Sequence, residues 1–205
     1  MTIYQIKVTL LGVRPPIWRR VLVPSDFTLA QLHDVLQAAV GWEDCHMHEF
    51  RIGRQRFGVP EPDEGLMGLP ACIHERKARL ADVLCKPGAK AEYTYDFGDG
   101  WEHTVIVEKL FTPEAGVAYP LCTGGKRHGP PEDCGGIGGF YNFLEAIGDP
   151  DHPEHEELLE WIGGSFHPEA FSVEAVNQRL RQTFRQARKT AANRPKSKTA
   201  TDGAD

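Results

Sequence analysis

The chain has 205 residues, 40% of them hydrophobic and 25% charged, which suits one globular domain of the soluble class with appendages. Apolar runs break within about ten residues, short of the roughly 20 that a membrane-crossing helix needs. The formal net charge is -6, unevenly placed: from Arg179 onward eight basic residues face two acidic ones, a tail of +6, and the remaining body carries -12. Such a body lacks the clustered Lys and Arg of a nucleic-acid surface, which leaves the tail as the place for a weak nucleic-acid contact. Five cysteines, an odd number, and an N-terminus without a basic segment before an apolar core predict reduced thiols and a cytoplasmic protein with no membrane partner.

In chain order, alternation over residues 3–11 and again over 17–23, broken by Arg14-Pro15-Pro16, predicts a β-hairpin. Leu29, Leu32, Val35, Leu36, Ala39 and Val40 then fall at helical spacing, with Thr28 or Asp26 as N-cap and Gly41 as the stop. Residues 48–52 and 54–57 read as short strands, 60–70 as a loop, and 79–84 as one helical turn. Residues 91–97, with Tyr93, Tyr95 and Phe97 on one face, pair with 101–111 across the Gly98-Asp99-Gly100 turn. Residues 112–139 show no period. Helices follow around Phe140–Ile147, Leu158–Ile162 and from Ser172 to Phe184. The expected fold is α+β. An antiparallel, β-grasp-like sheet carries one covering helix, with a C-terminal helical layer beside the glycine-rich loop. Residues 1–186 form the single domain and 187–205 a basic, disordered tail.

The runs Tyr95-Asp-Phe-Gly-Asp-Gly-Trp-Glu-His103, Gly129-Pro-Pro-Glu-Asp-Cys-Gly-Gly136 and Asp149-Pro-Asp-His-Pro-Glu-His155 resemble the plasmid pRiA4b ORF-3-like family. So do Arg14-Pro-Pro-Ile-Trp-Arg19, residues 29–42 and residues 161–171. The likeness covers residues 4–184 and implies an association with plasmids and insertion elements, where some members carry a resolvase (TnpR) label. It implies no activity, substrate or catalytic residue. A serine recombinase needs a nucleophilic serine within an arginine cluster. Ser25, Ser165 and Ser172 have no such neighbourhood, and no tyrosine equivalent is visible.

Three groups carry chemistry. Asp96, Asp99, His103, Glu132 and Asp133 can form a carboxylate–histidine cluster for a divalent metal or acid–base work; the competing reading is turn and capping chemistry. Cys122 and Cys134, with His103 and His128, can make a tetrahedral zinc site, although their spacing is not a tight knuckle; buried thiols are the competing reading. Cys45, His46 and His48 form another donor group, with both histidines on one strand face, and Trp101 joins them as a candidate surface residue. Glycines before Phe140 lack the lysine of a phosphate loop. Two functions follow: a binding module associated with plasmid or mobile-element DNA, with a protein partner, or a metal-dependent hydrolase around Asp96–His103 and Glu132–Cys134.

Overall fold

A computed structural model describes residues 1–60 and 71–192, with side chains through residue 185. Eight strands and five helices follow one another as β1 (Ile3–Leu10), β2 (Trp18–Pro24), α1 (Leu29–Val40), β3 (His48–Ile52), β4 (Gln55–Gly58), β5 (Cys72–His74), α2 (Leu80–Val83), β6 (Lys90–Tyr95), β7 (Trp101–Phe111), β8 (Leu121–Lys126), α3 (Gly136–Gly148), α4 (His155–Trp161) and α5 (Val173–Ala192). The loop expected at 60–70 lies, beyond Pro60, outside the described residues. So does the tail from 193, and α5 continues five residues past Ala187, where its apolar spacing ends.

The strands form one sheet in the order β5-β4-β3-β6-β7-β1-β2-β8. All pairings are antiparallel except β4 with β5, the one departure from the expected antiparallel sheet. The register aligns Ile6 with Val21 and Val107, Val8 with Val105, Tyr93 with His103, and Phe50 with Tyr93. Period-two alternation therefore turns one set of apolar side chains toward a single core, which α1 covers.

Thr28 caps α1. The Gln31 N–H donates to Thr28 Oγ1, the Thr28 N–H donates to Gln31 Oε1, and Gly41 closes the helix in the left-handed region. No basic residue of α1 itself lies in its last turn. Instead the Arg19 Nε–H donates to Ala39 O and the Arg179 Nε–H to Ala38 O, each at 2.8 Å. Burial lowers the Arg19 pKa to about 10, so it keeps its charge at neutral pH.

Two placements differ from the sequence reading. Asp96 takes φ +54, which ends β6 and turns Phe97 out of the core, leaving it 53% exposed. Within the aperiodic stretch, Leu121–Lys126 pairs with β2 despite Gly124 and Gly125; a Cβ at 125 would overlap the Phe171 ring.

Candidate functional site

The loop from Gly41 to Met47 joins the end of α1 to the start of β3 and lies over the ends of β6 and β7. One wall of a cavity of about 740 Å³ is built here, and His33, Asp34, Asp44, His46, His48 and Glu75 line it. That volume suits a metabolite-sized molecule.

Two stacked histidines form its floor. His33 interrupts the apolar stripe of α1, and His48 opens β3 on the inner face of the sheet. Their rings are parallel within 6°, with centroids 3.4 Å apart. Hydrogen bonding fixes the His33 tautomer. The Asp44 N–H donates to Gln37 Oε1, so the Gln37 amide N–H donates to the Tyr93 hydroxyl. The Tyr93 O–H must then donate to His33 Nδ1, 2.8 Å away, and the His33 Nε2–H donates to Asp44 Oδ1 at 2.7 Å. This hydrogen bond holds the Asp44 carboxyl below its ordinary pKa, whereas burial raises that of Asp34. Beside it, His48 Nε2 lies 2.7 Å from Glu75 Oε2; the two side chains are 9% and 6% exposed. His48 Nδ1 makes no hydrogen bond to the described residues. The His48 residue itself lines the cavity.

Beside His46, the Tyr95 O–H donates to Glu132 Oε1 at 2.8 Å, and the same oxygen accepts the Glu43 N–H. The Tyr95 oxygen accepts the Cys45 N–H. Burial, reinforced by the bond to Glu132, raises the Tyr95 pKa; a hydrogen bond to Glu132 raises that of the exposed Cys45 thiol. Next to this pair, His46 Nε2 stands 3.0 Å from Asp133 Oδ1 and 3.7 Å from Asp96 Oδ2.

The sequence-derived candidates thus separate. Asp96 and Asp133 meet at His46, and Glu132 bonds Tyr95 close by. Asp99 does not join them: its Oδ2 accepts the Gly135 N–H ahead of α3. His103 faces inward from β7, opposite Leu10 and Tyr93, and packs edge-on against Trp42. Trp101 is 1% exposed and belongs to the core, not to a surface.

The thiolate–imidazole zinc set is not assembled. Cys122 is buried under α5, where its N–H donates to Asn177 Oδ1. Cys134 lies ahead of α3 near Asp99. Burial raises the pKa of both thiols, Cys134 to about 12. His128 Nδ1 bonds Gly129 O, and its ring meets Phe166. His46 and His48 do not share a strand face, because β3 starts only at His48 after a left-handed Asp44. Sequence reasoning missed His33, Asp44, Tyr93 and Glu75; a histidine inside the α1 stripe was the one visible signal.

The sequence profile of the plasmid pRiA4b ORF-3-like protein family matches residues 2–175. The chain belongs to the plasmid pRiA4b ORF-3-like family. An uncharacterized protein of Sinorhizobium fredii (strain NBRC 101917 / NGR234), y4hQ, is 42% identical over 170 residues, which is 82% of this chain and 85% of that protein. The crystal structure of MM3350 from Methanosarcina mazei Go1, a protein of unknown function, has a TM-score of 0.76 and 38% identity. The match covers 85% of this chain and 96% of that one. Neither of these two proteins carries a name that states a reaction. Among the described residues no helix is long and apolar enough to cross a membrane.

Proposed function

We propose that this chain is an enzyme of the hydrolase type, acting on a small polar molecule in the histidine-lined cavity, with His48 as general base and Glu75 as the residue that positions it. The observation that carries this reading is the His48–Glu75 pair. The nearly buried Glu75 carboxylate accepts from His48 Nε2, which leaves Nδ1 as the basic nitrogen of a ring that lines the cavity. His33, closed into its own chain of hydrogen bonds, gives the His48 ring a flat surface that fixes its plane. The Thr28 hydroxyl at the cavity edge is spent on the helix cap, and the reading takes water as the attacking group.

The test is a proton–nitrogen correlation spectrum of histidine-labelled, chelator-treated protein at neutral pH. Neutral His48 is expected to carry its proton on Nε2; a proton on Nδ1 defeats the assignment. Turnover of p-nitrophenyl acetate is expected to fall about 100-fold in His48→Gln, the scale of a general base, with Asp149→Asn unaffected. Equal turnover in all three proteins also defeats it.

A second reading, an interaction module for plasmid or mobile-element DNA, draws on the +6 carried from Arg179 onward. Within that stretch Arg179 is already engaged with Ala38 O. Salt-sensitive retention on DNA that disappears when Arg181, Arg185, Arg188, Lys189, Arg194, Lys196 and Lys198 are all changed to Gln would support this reading; retention that survives the change would remove its basis.

A further inference from the structure

We infer that His46, Asp96 and Asp133 form an open divalent-metal site at the edge of the cavity. The inference names a metal for the proposed hydrolytic pocket, yet it rests on other residues than the His48–Glu75 pair. His46 Nε2 is buried and has no hydrogen-bond partner. Asp133 Oδ1 lies 3.0 Å away, but the contact lacks hydrogen-bond geometry. Asp96 Oδ2 is 3.7 Å away, and the three ligand atoms all lie within 4.8 Å of one another. With metal–ligand bonds of about 2.0–2.2 Å, ligand atoms around a tetrahedral ion stand about 3.3–3.6 Å apart, so these separations bracket the required spacing.

The carboxylate is oriented from behind. Asp96 Oδ1 accepts the Gly98 and Asp99 N–H groups at 2.9 and 3.3 Å, which turns Oδ2 toward His46. Three separate loops supply the ligands: the α1–β3 loop, the β6–β7 turn and the loop before α3. Three protein ligands leave a position for water, as in a catalytic site. One nitrogen and two carboxylate oxygens suit zinc or manganese. The neighbouring group of His33, Asp44 and His48 is a poorer ligand set. His33 has both ring nitrogens engaged, Nδ1 with the Tyr93 hydroxyl and Nε2 with Asp44.

The experiment is titration calorimetry of the full chain, freed of metal with chelator, against zinc and against manganese. One ion per chain is expected. Loss of a ligand should weaken binding about 100-fold in His46→Ala and about tenfold or more in Asp133→Asn. Asp133 is 71% exposed, so its variant folds whatever becomes of His46→Ala. The Cys122→Ser/Cys134→Ser pair should bind as the parent does. Absence of binding, binding unchanged in Asp133→Asn, or binding lost in the cysteine pair overturns the site. The His48 spectrum is recorded without metal, so either proposal can fail while the other stands.

Discussion

His103 shows how far a residue's type is from its role. In the sequence it stands beside Asp96, Asp99 and Glu102 and reads as a ligand. In the fold it is 2% exposed, with Nδ1 3.3 Å from Tyr93 O and Nε2 unpartnered. Burial lowers its pKa to about 4 from an ordinary 6.5. Between those values the unfolded chain binds the proton and the folded one does not. Stability is therefore full above pH 6.5 and falls as pH drops toward 4. The shift corresponds to about 3 kcal/mol. Urea midpoints measured at pH 7 and pH 4.5 should diverge for the parent and converge in His103→Leu, relative to a common baseline. An equal drop in both proteins would assign the acid sensitivity to other groups. His46 shows the reverse case: its partners come from positions 96 and 133, and only tertiary folding brings them near. Sequence spacing identifies donors; it does not tell which way a strand or loop turns them.

Elements were legible where apolar residues keep a period. The β1–β2 hairpin, α1 with its Thr28 cap and the β6–β7 hairpin all follow from alternation, helical spacing or a turn residue. The long aperiodic stretch was not legible, because its glycines record close approaches to other segments. Gly139, in the first turn of α3, is one: a Cβ there would overlap the carbonyl oxygen of Cys134, the residue after Asp133. Gly138 beside it faces open space. Gly139→Ala should cost about 3 kcal/mol by overpacking. Gly138→Ala should stabilise by about 0.5–1 kcal/mol, the helix propensity of alanine over glycine. Thermal denaturation of the two variants checks the contrast, and equal effects would refute the packing account.

At the scale of the whole molecule, α5 binds together parts that are distant in the sequence. It packs on α1 and β8, and its Asn177 closes the outer edge of the sheet. The Cys122 N–H donates to Asn177 Oδ1 at 2.7 Å, and the Asn177 amide N–H donates to Cys122 O at 3.0 Å. One side chain thus stands in for a ninth strand at that point. Asn177→Ala should leave two buried backbone groups unpaired and cost about 2–4 kcal/mol. Chemical denaturation measures this, and a loss under about 0.5 kcal/mol, as at an ordinary surface site, would show the edge to be satisfied otherwise. No pattern in the α5 sequence signals this role, since it depends on which strand ends the sheet. Trp42 ties the site to the same core: its indole N–H donates to Pro130 O, and its ring stacks on Tyr95 at 4.8 Å. Tyr95 in turn holds Glu132, one residue from Asp133. The molecule therefore carries a built-in optical probe, an indole whose emission should respond when an ion settles between His46, Asp96 and Asp133, so that metals can be sought by fluorescence before any reaction is known.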